Sequence, residues 1–334
     1  MMRSSYLLSS AMVAVLGLLS APAQANNLPK VTKVETVATF DQSQGETPED
    51  VYVDHDGNKY LSLAIKGEIR KIAPDGTQTH VADLPIGEPL AFCDGFYAIS
   101  GPLTFDFAGN IYVSVASCDL DKRGVWKVAP NGQQTQLARF PAGSFPNGIL
   151  YRFGELYAVD SNLATIFRID PDAAQVQDPP PVWATDPLIS RQVPGAGFPG
   201  ANGIQAYGDN FYVSNTDRST IVKFPVKPNG KAGKPSVYAT TPAGVDDFAF
   251  DLFGNLYGAC FFDQVVRVTP TGRSEVIIQG GTLDGPTSVA FGRTWGDWLD
   301  IYVTNASFPG FSAKNQPNLE RYRVSLPGAP ILGY

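Results

Sequence analysis

The chain has 334 residues, 43% of them hydrophobic, and its 33 glycines and 27 prolines suit an ordinary globular protein rich in turns. Its formal net charge is −7 and it has no cluster of lysine and arginine, which argues against nucleic acid and anionic membranes as partners. Length alone allows one to three domains.

The first 25 residues have the pattern of a secretory signal peptide. Arg3 supplies the positive charge, residues 11–19 are apolar, and Ala23-Gln24-Ala25 has the form of a cleavage site. A membrane anchor is the alternative, but the apolar run is short for a membrane span. We expect cleavage after Ala25, a single domain over residues 26–334 that does not bind membranes, and, in a bacterial host, a periplasmic or secreted protein.

A short motif recurs six times along the remaining chain. In its fifth copy, residues 245–257, it reads as a strand, a tight Phe-Gly-Asn turn and a second strand. The repeats start about 40 to 55 residues apart and each supports four short strands, which is typical of propeller blades. The sequence therefore predicts an all-β fold, a six-bladed β-propeller. One tyrosine marks each copy: Tyr60, Tyr112, Tyr157, Tyr212, Tyr257 and Tyr302.

The two ends of the chain complete this ring. The sixth unit is one strand short after residues 319–324, and residues 33–40 form a strand that belongs to no blade. Pairing the N-terminal strand with the last blade closes the ring and removes an exposed strand edge.

Polar residues lie at one fixed place in the repeat. Ten residues before the tyrosine stand Asp50, Pro102, Asn147, Asn202 and Asp247; the sixth position is near Pro286-Thr287, and Glu49 and Asp246 precede their positions by one. Because first strands line the channel of a propeller, we expect Glu49, Asn147, Asn202, Asp246 and Asp247 to share one small volume. Each alone is commonly a turn or loop residue, and the common register is what favours a site. Asp50 either faces away or holds a second ion, since neighbours on a strand point to opposite sides.

Carboxylates that close together repel, and a divalent cation relieves the repulsion. The donors are all oxygens, which favours Ca²⁺, with Mg²⁺ or Mn²⁺ possible and Zn²⁺ less natural. We predict one divalent cation among these five residues, with Asp246 or Asp247 as the catalytic base for a bound water. This chemistry suits hydrolysis of a lactone or activated ester. No G-x-S-x-G motif is present, which argues against a serine hydrolase.

Two long loops, residues 85–101 and 186–201, fall on the face where the first strands begin. The second is rich in glycine and proline and either lies over the channel mouth or is a solvated insertion. We predict that aromatic residues here form an apolar pocket suited to a substrate less polar than a sugar acid; packing between blades is the alternative for each. The predicted substrate-binding residues are Phe145, Phe198, Phe261 and Phe262, with Phe92, Tyr97, Phe308 and Phe311 nearby.

The three cysteines are Cys93, Cys118 and Cys260, and none forms a C-x-x-C pair, which argues against a zinc cluster. We predict a Cys93–Cys118 disulfide, because both residues fall in loops on one face and an oxidising compartment permits it. Three buried free thiols are the alternative.

The sequence resembles the regucalcin/gluconolactonase family and, more distantly, the paraoxonases. The resemblance covers most of residues 33–324 and depends on Asp-x-x-Gly-Asn-x-Tyr (residues 54–60 and 251–257), Pro146-Asn147-Gly148, Ala201-Asn202-Gly203 and Asp246-Asp247. It implies a six-bladed propeller with a central divalent ion, usually Ca²⁺, and often lactone hydrolysis. The family's ligand residues match Glu49, Asn147, Asn202 and Asp246, and its base also matches Asp246.

The second blade departs from this pattern. It has Gly101-Pro102-Leu103 where the family often has Asn-Asp and the paraoxonases a histidine. The sequence therefore predicts an exported, metal-dependent lactonase or esterase. A non-catalytic propeller that binds a small ligand or protein around a structural ion is the alternative, and a strictosidine-synthase-like or isomerase activity is a third possibility.

Overall fold

The repeated motif folds because its aspartate organises a tight turn. In the second copy, one carboxylate oxygen of Asp106 accepts hydrogen bonds from the backbone N–H groups of Ala108 and Asn110, both at 2.9 Å. The other oxygen accepts from the Asn110 amide and the Tyr112 hydroxyl at 2.7 Å each, and Gly109 takes the positive φ that the turn needs. The fifth copy repeats these contacts. The motif thus fixes the first hairpin of a blade.

The computed structural model describes residues 30–192 and 198–331. Within them the strands form six four-stranded antiparallel sheets, and the innermost strands of successive sheets lie side by side around a closed ring. From the innermost strand outward, the blades are β2 (Pro48–Val53), β3 (Lys59–Leu63), β4 (Glu68–Ile72) and β5 (Gln78–Asp83); β8 (Ile99–Phe105), β9 (Ile111–Ala116), β10 (Gly124–Val128) and β11 (Gln134–Arg139); β12 (Pro146–Arg152), β13 (Glu155–Asp160), β14 (Thr165–Ile169) and β15 (Val182–Thr185); β16 (Ala201–Tyr207), β17 (Asn210–Asn215), β18 (Thr220–Pro225) and β19 (Ser236–Thr240); β20 (Val245–Phe250), β21 (Leu256–Cys260), β22 (Gln264–Val268) and β23 (Ser274–Gln279); and β24 (Pro286–Phe291), β25 (Asp300–Asn305), β26 (Asn318–Arg323) and β1 (Thr32–Thr39).

The predicted closure of the ring is confirmed. Strand β1 pairs antiparallel with β26 and supplies the outer strand of the sixth blade. Its observed bounds differ by one residue from the predicted strand at 33–40. The first and last strands of the propeller therefore belong to one sheet. This pairing closes the ring and covers the edge of β26 that would otherwise be exposed.

The core is divided among the blade interfaces. Six clusters of buried apolar side chains each join two neighbouring blades. The cluster between the sixth and first blades packs Tyr302 and Leu319 against Val51, Leu61 and Ile72. Every blade is therefore packed against a neighbour on both sides. Because apolar burial stabilises by about 25 cal/mol per Å², these interfaces hold the starts of the innermost strands rigidly at the axis.

Few elements lie outside the blades. A two-stranded hairpin, β6 (Phe92–Cys93) with β7 (Phe96–Tyr97), lies in the first long loop, and there are two three-residue 3-10 helices, Gln42–Gln44 and Pro187–Ile189. No helix in the described ranges is long and apolar enough to cross a membrane. The predicted signal peptide, its boundary at residue 25 and residues 193–197 of the second long loop lie outside the described residues.

Candidate functional site

A β-bulge marks the start of the innermost strand in all six blades. In each, one extra residue is inserted between two successive strand pairs, for example between Val245, which pairs with Cys260, and Phe248, which pairs with Gly258. Equivalent residues at the six bulges form two rings, which strand pairing defines. The upper ring is Glu49, Gly101, Asn147, Asn202, Asp246 and Thr287, and the lower ring is Asp50, Pro102, Gly148, Gly203, Asp247 and Ser288.

This register corrects the alignment counted from the tyrosines, which grouped Asp247 with Asn147 and Asn202. Tyr257 pairs with Ala249, eight residues before it, whereas Tyr157 pairs with Leu150, seven residues before it. The hairpin turn of the fifth blade is therefore one residue longer. Counting back a fixed ten residues from Tyr257 therefore stops one residue short of the equivalent position, and Asp246 is the true counterpart of the two asparagines.

The upper ring brings four of the predicted residues together. Glu49, Asn147, Asn202 and Asp246 all line one cavity, which has a volume of about 140 Å³ and is open to solvent. All four side chains are buried. Asp50 and Asp247 instead line a second cavity that reaches toward the C-terminal residues 329–331. Asp247 is thus separated from the first cavity, and Asp246 is the carboxylate of that pair that faces it.

The lower ring explains the Asn-Gly pairs. A Cβ atom built on Gly148 would lie 2.3 Å from the carbonyl oxygen of Asn202, and one on Gly203 would lie 2.3 Å from Oδ1 of Asp247. Both glycines lie within strands and neither has a positive φ. They are required because neighbouring blades approach closely at the axis, so these pairs are not simple turns.

Hydroxyl groups beneath the upper ring orient its two amides. The Nδ2 atom of Asn202 donates to Thr216 Oγ1 at 2.9 Å, and Asn147 Nδ2 donates to Ser161 Oγ at 3.1 Å. Each hydroxyl donates its own proton to a backbone carbonyl of the next blade, that of Val245 or Ala201. A hydroxyl that already donates must accept from the amide, which leaves each Oδ1 available to the cavity.

The upper ring fits the cation that the family resemblance implies. Glu49 Oε2 and Asn202 Oδ1 are buried and have no hydrogen-bond partner in the structure. Unpaired buried oxygens are costly, and a hard cation would satisfy both. No group of three or more His, Cys, Asp or Glu side chains in residues 30–192 and 198–331 is arranged to hold a metal. The donor set is therefore two carboxylates with two amides.

Electrostatics point the same way. Burial, and then the charges of Asp246, Asp50 and Asp247, raise the pKa of Glu49 well above its ordinary value. Burial raises the pKa of Asp246 to about 8; a contact from Asn202 opposes this rise and the charge of Asp50 adds to it. Without a cation, the carboxyl groups of Glu49 and Asp246 therefore do not both lose their protons readily. A bound divalent cation would compensate the two negative charges.

An aromatic wall surrounds the upper ring. Of the predicted substrate-binding residues, Phe145, Phe198 and Phe261 line the cavity. Phe262 does not; it lies outside, 59% exposed and packed edge-on against Phe198. It is displaced because the chain turns away after β21, where Phe262 has a φ of 79°.

The β6–β7 hairpin forms one side of this wall. Cys93 and Cys118 are joined in a disulfide with a Cα–Cα distance of 5.7 Å, and Cys260 is a buried free thiol. The buried guanidinium of Arg123 lies 2.7 Å from the Asp94 carboxylate and donates to two backbone carbonyls. Phe96 stacks on Phe145 with ring centroids 3.8 Å apart. The hairpin is thus held firmly against the cavity.

Several residues of the site were not predicted from the sequence. Ser161 and Thr216 each follow their asparagine by 14 residues, a repeated spacing that the sequence does contain. Phe96, Ile99 and Pro199 also line the cavity. Their role depends on the path of loops that no periodic pattern specifies.

Fold and site together define a six-bladed β-propeller with a ring of oxygen donors at the base of an apolar cavity. Residues 158–307 match the family profile described as the SMP-30/Gluconolactonase/LRE-like region. The resemblance to the regucalcin/gluconolactonase family is thereby confirmed. No curated protein sequence matches the chain.

Solved structures show the same fold. Regucalcin, a calcium-binding protein from Agrobacterium tumefaciens, superposes with a TM-score of 0.61 at 16% identity over 91% of this chain and 96% of its own. A gluconolactonase from Xanthomonas campestris gives 0.61 and 16% over 90% and 95%. An auxiliary nutrient binding protein from Bacteroides ovatus gives 0.60 and 13% over 87% and 76%. At these identities the likeness concerns the fold alone.

Proposed function

We propose that this protein is a metal-dependent hydrolase of the lactonase or esterase type. The observation that carries the proposal is the upper ring: Glu49 and Asn202 present buried oxygens without protein partners at the base of a cavity large enough for a small molecule. Ca²⁺ suits this all-oxygen set, with Mg²⁺, Mn²⁺ and Zn²⁺ as alternatives. The matched family region and the calcium-binding and gluconolactonase neighbours support the same reading.

We assign separate roles in binding and proton transfer to the residues of the upper ring. A divalent cation, when bound, polarises a carbonyl oxygen and lowers the pKa of a bound water. Glu49, Asn147, Asn202 and Asp246 would hold it, and Asp246 would also accept a proton from the attacking water. The water oxygen bonds to the carbonyl carbon, the ring C–O bond breaks, and the leaving oxygen receives the proton, which gives a hydroxy acid.

The experiment compares Asp246→Asn with Asp247→Asn. These substitutions are identical in chemistry and adjacent in sequence, but only the first alters a side chain that faces the cavity. Ca²⁺ binding by calorimetry and hydrolysis of a lactone panel are measured on both. We expect Asp246→Asn to lose at least about 100-fold in kcat/KM and Asp247→Asn to retain most activity. Unchanged turnover in Asp246→Asn would rule out its assigned role.

A non-catalytic binding propeller is the second candidate. It is favoured by the second blade, which contributes Gly101 and Pro102 to the two rings and therefore no group that could bind substrate or move a proton. In that case the protein binds one Ca²⁺ per chain, as the hydrolase would, and ligands bind in the cavity. No ester or lactone in the panel is hydrolysed.

We also propose export, on the pattern of residues 1–25 alone. Mass spectrometry of the protein from a bacterial periplasm or medium should show an N-terminus at Asn26. A chain that keeps Met1 and stays in the cytoplasm would contradict this.

A further inference from the structure

The cavity above the upper ring has aromatic walls and few polar groups. Besides Glu49, Asn147, Asn202 and Asp246, the described residues that line it are apolar or glycine, except for the hydroxyl of Tyr97. No Lys, Arg, His, Ser, Thr or Gln of residues 30–192 and 198–331 lines it. The walls are aromatic: Phe92, Phe96, Phe145, Phe198, Phe261 and Phe311.

These side chains come from five blades. The β6–β7 hairpin precedes the second blade, Phe145 precedes β12, Phe198 precedes β16, Phe261 follows β21, and Phe308 follows β25. An apolar wall contributed by one loop could be ordinary packing. Apolar walls from five blades, all directed to one polar base, form a built pocket.

The walls are also held in place before any ligand binds. Phe96 is clamped between the ring of Phe145 and the guanidinium of Arg191, which lies 4.1 Å from the Phe96 centroid. Phe198 packs against Phe261 with centroids 4.8 Å apart. At the rim, Phe92 is 66% exposed. A fixed cavity with exposed rings at its mouth favours apolar ligands, because little ordering is needed on binding.

Resting on the proposed lactonase function, we infer that the substrate is a lactone or ester with an aryl or alkyl substituent, and that polyhydroxylated sugar lactones are poor substrates. Hydroxyl groups of a sugar would lose water on entering this cavity and find almost no partners. An aryl substituent would instead pack against the edge of Phe96 and against Phe261, which both line the cavity. The four polar groups at the base remain for the reacting carbonyl.

The test uses three six-membered lactones in the presence of Ca²⁺: δ-valerolactone, its 6-phenyl derivative and δ-gluconolactone. We expect kcat/KM for the phenyl lactone to exceed that for δ-gluconolactone by about 100-fold. Phe96→Ala and Phe261→Ala should each lower kcat/KM for the phenyl lactone about tenfold more than they lower kcat/KM for the unsubstituted lactone. Phe107→Ala is the matched control, since Phe107 is 64% exposed in the β8–β9 turn and does not line the cavity.

A stable analogue separates this inference from the proposed function. Calorimetry with 6-phenylpiperidin-2-one, a lactam, and with unsubstituted piperidin-2-one measures the preference without hydrolysis. If no lactone is hydrolysed but the phenyl lactam binds more tightly and Phe96→Ala removes the difference, the lactonase proposal fails and the apolar specificity stands. If lactones are hydrolysed with δ-gluconolactone preferred, or if Phe96→Ala and Phe261→Ala prefer the phenyl lactone as strongly as Phe107→Ala does, the inference is overturned and the hydrolase remains.

Discussion

The amide of Asn202 donates to the hydroxyl of Thr216, and that hydroxyl donates to the carbonyl of Val245 at the start of the fifth blade. One hydroxyl therefore connects two blades and also fixes which end of the amide faces the cavity. Without it, Asn202 could rotate and present an N–H group, which repels a cation. Asn147 and Ser161 repeat the arrangement one blade earlier. We regard the two hydroxyls as positioning residues for the upper ring.

Thr216→Val should lower Ca²⁺ affinity about tenfold, as loss of an outer-shell partner typically does. Valine keeps the shape and removes only the hydroxyl. Thr241→Val is the control, because the buried Thr241 hydroxyl also donates to a backbone carbonyl, with those of Ala243 and Ser219 at 2.8 and 3.0 Å, but does not contact the upper ring. Both variants should lose about 1 kcal/mol of stability. Equal Ca²⁺ affinity in the two variants, by calorimetry, would show that Thr216 does not orient the amide.

The sequence was informative where physical constraints repeat. The motif around Asp106 and Tyr112 recurs because the first hairpins of the first, second and fifth blades share the same Asp-capped turn. The tyrosine recurs in all six blades, so blade number and ring closure followed from counting. Counting from the tyrosines placed Asp50 and Asp247 at the fixed position and Glu49 and Asp246 one residue before it. The family resemblance then selected Glu49 and Asp246 as the ligands. Turn length varies between blades, and only strand pairing reveals it.

The cavity wall was less predictable. Phe145, Phe198 and Phe261 sit one to three residues from strand ends, so the propeller frame places them. Phe96 depends on a short hairpin that is held by a disulfide and by Arg123, contacts distant in sequence. Phe262 is next to a lining residue, and a single positive φ directs it away.

Close approach at the axis makes a prediction about glycine. Gly203→Ala should destabilise the protein by about 3 kcal/mol, because the added Cβ would lie 2.3 Å from Asp247 Oδ1 and 2.9 Å from the Asp246 carbonyl oxygen. Gly101→Ala, in the upper ring of the second blade, is the control: its Cβ would meet nothing closer than 3.6 Å. Urea denaturation measures both. Similar midpoints for the two variants would mean that the axis relaxes freely.

Asp160 should make stability depend on pH. Its Oδ1 accepts from three backbone N–H groups, including those of Asn162 and Leu163 at 2.9 Å, and Oδ2 is buried without a partner. Burial raises its pKa from 3.8 to about 6, against the effect of these hydrogen bonds and of Arg123. Because the folded state holds the proton more tightly, its contribution is complete below pH 3.8 and is lost as pH rises through about 6.

Asp160→Asn keeps the Oδ1 acceptor and cannot ionise. Relative to the wild type, the variant should therefore gain stability between pH 4 and pH 7, by about 3 kcal/mol at most. Urea denaturation at the two pH values gives the comparison, and Asp170→Asn, an exposed residue that caps a surface turn, serves as the reference substitution. A stability difference between wild type and Asp160→Asn that does not change with pH would contradict the assignment.

The disulfide should support both stability and the apolar pocket. Cys93 and Cys118 lie 25 residues apart, and cross-linking a loop of that size stabilises by about 3 kcal/mol. The double variant Cys93→Ser with Cys118→Ser should lose this amount, and reductant should lower the Tm of the wild type but not that of the double variant. Cys260→Ala, which removes the buried free thiol, should keep the response to reductant.

Because the bridge anchors the hairpin that carries Phe96, the double variant should also bind the phenyl lactam more weakly than Cys260→Ala does. A wild-type Tm that reductant leaves unchanged would show that the hairpin is held by Arg123 and aromatic packing alone.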